Sequence, residues 1–456
     1  MAEDARTRQW NSALSVRAVV IGAVHFGAGA GIAKLLGILR DAYIARVFGL
    51  GDQVDAYLLA QTLAMLPLSV IFLSLQPVLT TAIARRAQAE KVFIPQDLAK
   101  IIAMGFVALG VAVLAIWFGL PRFLVALAGR SSVALIAETQ AAYGWLAAGA
   151  FCSAVSTLGY AALHARGKML NSGLLPALVP LVMVVLLAVL LPGTSAGNLG
   201  CALFLGYVAE MGVVILTVKN MGGLRVVPAE AHGVGAKLSR QVYPVMLGML
   251  MGGACPLIEQ SFAVSLGAGA VSALGFASRV PAALGGLASS ALSAAFLPIV
   301  AGQLGAGHVA AARRTFRLTA ATMFLLATIV ALLLWAGSDL IVRLLFLGGK
   351  FRPEDSQRVS LLQGILAFGI PGAMIAAIAG RVLIALSIRL MHLLVPLVTV
   401  GAIFGLNSVL VPLYSVEGIT LSNVVAANLA AAITLIGAGI YLRRVSPASV
   451  NVAALS

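Results

Sequence analysis

Charge is scarce in this sequence. Only 10% of its 456 residues are Asp, Glu, Lys or Arg, against about 25% in a soluble domain. With 61% hydrophobic residues and a mean hydropathy of +1.05, that scarcity excludes an ordinary soluble globule and indicates a multi-pass membrane protein. Cysteine is rarer still. Cys152, Cys201 and Cys255 stand singly inside apolar segments, which gives no disulfide framework or cysteine metal site and leaves inert thiols. The histidines His25, His164, His232, His308 and His392 are scattered without metal-ligand spacing. No GxxxxGK[ST] phosphate loop and no nucleophile or acid–base set occurs, so neither ATP hydrolysis nor enzymatic catalysis is expected, and no cofactor. The polar start MAEDARTRQWNSALSVR is not the plan of a cleaved signal peptide.

What is present is a series of apolar runs of membrane length. They predict an all-α polytopic protein of about twelve transmembrane helices, near 17–37, 54–80, 98–120, 134–163, 172–192, 200–219, 241–266, 272–301, 315–347, 357–384, 391–412 and 417–441. The net charge of +15 suits a membrane orientation rather than nucleic acid. Twenty of the thirty Lys and Arg residues fall in one set of alternate connections and eight in the other, with Lys34 and Arg279 inside helices. Cationic connections stay in the cytoplasm, so both termini are expected there. The basic stretch 220–240 divides the chain into six-helix halves, 1–219 and 241–444, with a tail at 445–456. The halves resemble each other: Asp41, Ala45 and Gly49 recur as Glu259, Ala263 and Gly267, each 218 residues on. Six-helix repeats of like orientation enclose a substrate site between them.

Charges at membrane depth face water or each other. Lys34, Arg40 and Arg279 come from both halves, and three cations together suit an anion such as a pyrophosphate. The alternative is that Arg40 pairs with Asp41 at a helix end and Lys34 snorkels. Glu210 and Glu259 lie mid-helix, where each either pairs with a cation, Glu259 with Arg279, or carries a coupling ion. Asp55 either caps the second helix or acts in a gate. The segment FLGGKFRPEDSQR (346–358) reads first as a solvated loop and second as an outer gate contact. The GAGAG run places Gly27 and Gly31 at the GxxxG spacing of close helix packing.

LLGILRDAYIARVFGLGDQVDAY (35–57), SALGFASRVPAALGGLASSALSAAFLPIV (272–300) and FLGGKF (346–351) resemble the signatures of the MurJ/MviN family, within the superfamily of multidrug, oligosaccharidyl-lipid and polysaccharide exporters. The resemblance implies a V-shaped pair of six-helix lobes in the bacterial inner membrane, and two packed six-helix lobes can work as a monomer. It implies a flippase that moves a polyprenyl-diphosphate-linked glycan, such as lipid II, outward by alternating access. Lys34, Arg40 and Arg279 match the cations that hold the diphosphate, and Asp41 and Asp55 match family acids. Coupling to membrane potential, protons or sodium is expected in place of ATP. Two features depart from the family: the sequence stops soon after Arg443–Arg444, without two further helices, and MLPLSVIFLSLQ (65–76) lacks the usual charges. They raise exopolysaccharide repeat units beside lipid II as cargo. A multidrug antiporter on the same fold would need an acidic cavity, and these cavity candidates are mainly basic.

Overall fold

The computed structural model describes residues 2–86, 92–128, 133–190, 193, 195–227, 234–386 and 388–444. The tail 445–456, the middle of the 220–240 linker and His232 lie outside them. The first half holds α1 (Ala2–Phe48), α2 (Asp52–Leu68), α3 (Ser74–Arg86), α4 (Gln96–Ala128), α5 (Val133–Ala165), α6 (Met169–Leu174), α7 (Leu178–Val189) and α8 (Ala196–Asn220). The second holds α9 (Val234–Ser265), α10 (Ala270–Gly305), α11 (Val309–Phe346), α12 (Pro353–Ala367), α13 (Ile370–Ala385) and α14 (Arg389–Arg444). Helices dominate because a chain in lipid must satisfy its backbone polar groups within each segment. Among the described residues, ten stretches are long and apolar enough to span a membrane, the last with 52 residues. That last stretch turns at Ser415 (φ 52°, ψ −130°), so it is two helices in one run, as the separate 391–412 and 417–441 spans anticipate.

The structure corrects three sequence expectations. The first helix does not end near 37 but continues to Phe48, and the left-handed backbone at Gly49 stops it. Arg40 and Asp41 therefore lie inside it, about 12 Å from its end, and not at a helix terminus. The second span contains a π-helical turn at Ser69–Leu73 between α2 and α3, just after Pro67, which removes a backbone donor. The all-helical expectation also missed two short strands: β1 (Val92–Pro95) and β2 (Leu224–Val227) pair in parallel, Val92 opposite Leu224. They fasten the start of the linker to the connection between α3 and α4.

The matched glycines of the internal repeat play matched parts. Gly49 (φ 73°) and Gly267 (φ 101°) both follow the ends of their helices, α1 and α9, where left-handed backbone stops a helix. Ala45 and Ala263 are both fully buried. At this end of the molecule the halves share one apolar core, with Ile44, Phe48 and Tyr57 in the same cluster as Val264, Phe276, Phe346 and Phe351. Toward the other end a separate cluster, Phe296, Val300, Phe316, Val382 and Leu442, belongs to the second half alone.

Close packing in the GAGAG run falls on Gly29, not on Gly27 and Gly31. A Cβ at Gly29 would lie 2.8 Å from the Leu174 nitrogen and 2.9 Å from the Leu170 oxygen; at Gly27 it would meet nothing within 4 Å, and at Gly31 only Leu287 at 4.0 Å. Two residues advance a helix by about 200°, so Gly29 faces α6 while the GxxxG pair faces away. Gly29→Ala is expected to cost about 1–3 kcal/mol, lowering the thermal midpoint of the purified protein. Gly27→Ala should leave it unchanged; equal effects would contradict this packing.

Candidate functional site

The site grows from Asp41, which is 3% exposed. Arg40, its neighbour on α1, donates from Nε and Nη2 to Asp41 Oδ1 at 2.9 and 2.7 Å. Arg279 of α10 brings its Nε to 2.8 Å from Oδ2, an ion pair in which the N–H is not aligned as a hydrogen bond. One carboxylate thus ties a guanidinium of the first half to a guanidinium of the second. Charge-assisted pairs of this kind hold fixed geometry in a low-dielectric interior. Arg40 is buried, whereas 29% of the Arg279 side chain remains exposed. Arg279 is the member free to meet a ligand.

Lys34, half-buried and about two turns back along α1, reaches across to α10. A Cβ on Gly286 would lie 2.7 Å from its Nζ. Among the described residues no carboxylate pairs with it. Beside it opens a recess of about 440 Å³ lined by Ser278, Pro281, Gly285, Gly286, Ile370 and Asn423. Arg40 and Arg279, one from each half, thus meet on Asp41, while Lys34 meets α10 at Gly286, on the rim of this recess. A larger recess of about 700 Å³ lies among Trp335, Asp339, Ser360 and Phe368. Neither recess is lined by the three cations themselves, and the one acid of the larger, Asp339, is paired with Arg343.

The expected Glu259–Arg279 pair does not form. Glu259 accepts from Asn423 Nδ2 at 2.5 Å, because its face of α9 turns toward α14 while Arg279 turns toward α1. Glu210 is buried and accepts from Tyr160 Oη at 2.5 Å. Both glutamates are thus held by neutral donors and neither makes the structural cation pair. Sequence reasoning tracked formal charges and so overlooked Asn423, Tyr160, Tyr57 and the buried Asn407, whose amide has no partner; polar side chains in apolar helices were the available signal.

Asp55 is a cap, but of the other half's helix. Its own helix begins at Gly51 without a side-chain cap. Asp55 Oδ2 accepts from the Gly269 N–H and Oδ1 from the Ser272 N–H, both at 2.7 Å, at the positive end of α10. FLGGKF is not a solvated loop. Lys350 donates its N–H to the Arg46 carbonyl at 2.8 Å, Arg46 Nη2 donates to Leu344 O at 3.1 Å, and a Cβ at Gly349 would collide with the Arg46 carbonyl. Phe346 and Phe351 stack around Phe276 of α10. These contacts seal the two halves at the Asp55 end.

Residues 101–444 match the family described as Lipid II flippase MurJ. The fold resembles "Lipid II flippase MurJ, inward closed conformation", with TM-score 0.71 and 15% identity over 91% of this chain and 87% of the other. It also resembles an inward-facing multidrug resistance MATE family transporter of the MOP superfamily (TM-score 0.70, 12% identity, 92% and 98% covered). A mutant form of the Vibrio cholerae MATE transporter VcmN is similar as well (TM-score 0.66, 16% identity, 95% and 99% covered). At these identities the structural likenesses establish the fold. No curated protein matches the chain closely enough to count as a relative.

Proposed function

This chain belongs to the Lipid II flippase MurJ family, and from that premise we propose that Lys34, Arg40 and Arg279 hold the diphosphate of the lipid-linked precursor it flips. It is a multi-pass membrane protein and a flippase of a lipid-linked glycan precursor. The observation that carries the site assignment is the charge balance around Asp41. Arg40 and Arg279 against the one acid leave one positive charge, and Lys34, farther along α1 beside Gly286, would supply a second, to match the two negative charges of a diphosphate diester. A cationic drug would meet net repulsion there, which disfavours an antiporter of the MATE kind.

The protein works as two six-helix lobes, twelve helices in all, arranged as a V in the bacterial inner membrane with both termini cytoplasmic. The Asp55 end faces outward. Its seal and the single-half core at the other end support a resting state closed to the outside. Transport is by alternating access rather than by catalysis, and the protein acts as a monomer. Glu210, buried, and Glu259, half-buried, each with a neutral partner, are the candidates for carrying a coupling proton or sodium ion; flipping in vesicles that ignores both imposed gradients would remove that role and leave the membrane potential.

The test is depletion of the protein from its own cells, reading which lipid-linked precursor gathers on the cytoplasmic leaflet. Lipid II with lysis is the expected result. An exopolysaccharide repeat unit in viable cells would move the cargo to another undecaprenyl-diphosphate-linked glycan. No accumulated precursor would overturn the transport role.

A further inference from the structure

One hydroxyl in this cluster has no use in the substrate-free protein. Tyr57 of α2 is 1% exposed, and its Oη is buried without a hydrogen-bond partner among the described residues. A phenol O–H taken from water and left unpaired is a net loss. Phenylalanine would fill the same volume without it, so packing does not account for the hydroxyl. Its charged neighbours are Arg40, Asp41 and Arg279. Tyr207, which donates to Met65 Sδ at 3.9 Å, lies beside it.

The same carboxylate has one strong and one weak attachment. Arg40 grips Oδ1 with two donors, while Arg279 stands near Oδ2 with its N–H out of line. An anion entering the cavity draws Arg279 away and strips Oδ2 inside a water-poor interior, which is costly unless another donor replaces it. We propose that Tyr57 is a positioning residue of the substrate site, whose hydroxyl donates to Asp41 when the substrate's diphosphate takes Arg279. The hydroxyl is idle at rest because its task begins when the ion pair opens. This rests on the reading of Arg279 as a diphosphate ligand.

The test is binding of a water-soluble short-chain prenyl diphosphate to the purified full-length protein and to Tyr57→Phe, Arg279→Ala and the double variant. Tyr57→Phe is expected to bind about tenfold more weakly, the share of one hydrogen bond to a charged group. Its thermal midpoint should be unchanged or higher, since the buried hydroxyl makes no bond at rest. A purely structural role would lower the midpoint instead. In the double variant Tyr57→Phe should add nothing to Arg279→Ala, because no ion pair remains to be opened. Unaltered binding by Tyr57→Phe, or effects that multiply in the double variant, would overturn the proposal. Normal binding by Arg279→Ala, or none by the unmodified protein, would instead overturn the diphosphate reading beneath it.

Discussion

Arg279→Ala should abolish transport while leaving the protein folded in the membrane. The substitution removes the one guanidinium of the cluster that is both paired across the halves and partly exposed. Charge-assisted hydrogen bonds contribute about 1.5–3 kcal/mol each, so losing two to a diphosphate costs about 3 kcal/mol or more, on the order of a hundredfold in rate or affinity. The folded state loses less, because Asp41 keeps both donors of Arg40 on Oδ1. Arg40→Ala makes the contrast: it leaves a 3%-exposed carboxylate with one misaligned partner and should lower both transport and thermal stability. Complementation of depleted cells at matched membrane levels reads the first quantity and melting of purified protein the second. Wild-type transport by Arg279→Ala would sink the diphosphate assignment.

The sequence made the spans legible because a bilayer imposes one demand, long apolar segments, that composition reports directly. What it hid depends on which way each helix turns. Glu259 and Arg279 lie at similar depths on consecutive helices, so a pair between them was a fair expectation. Only the rotation of α9 and α10 sends one to Asn423 and the other to Asp41. The end of α1 was misjudged because Arg40, Asp41 and Arg46 look like a loop in a hydropathy count. They are instead helical charges, whose cost is met by pairing. The π-turn at Ser69–Leu73 and the β1–β2 pair carry no periodicity that apolar runs would reveal.

The cations of the proposed site were legible for a different reason. Lys34, Arg40 and Arg279 are conspicuous because charge is rare here, and rarity at membrane depth is itself the signal. Tyr57 and Asn407 are more deeply buried yet carry no formal charge, so a count of ions passed over them. Asp55 lay between these cases. Its capping chemistry was readable from its residue type, but its client helix, 214 residues away, belongs to tertiary structure.

Asp55→Ala should unlatch the sealed end. The first turn of α10 presents N–H groups with no helical acceptor, and its N-cap, Gly269, has no side chain to offer them. Asp55 supplies both oxygens from the other half, at the end of the dipole that favours negative charge. Losing a cap costs about 1–2 kcal/mol, and removing the charge from the dipole about 0.3–1 more. That bias, roughly tenfold to a hundredfold in population, falls on the contact between the halves rather than within either. Ser272→Ala makes the milder comparison, because it keeps the Ser272 backbone N–H that Asp55 accepts and removes only a hydroxyl that lies beside Asp55 and donates to Gly269 O at 3.2 Å. A cysteine at Leu50, which packs on Gly269, in a protein lacking Cys152, Cys201 and Cys255, reports the opening. An impermeant thiol reagent added outside should label it about tenfold faster in the Asp55→Ala protein, with transport reduced, and with a smaller increase for Ser272→Ala. If labelling in the Asp55→Ala protein stays at the background rate, the bond to α10 is an ordinary cap and the seal rests on FLGGKF and its phenylalanines.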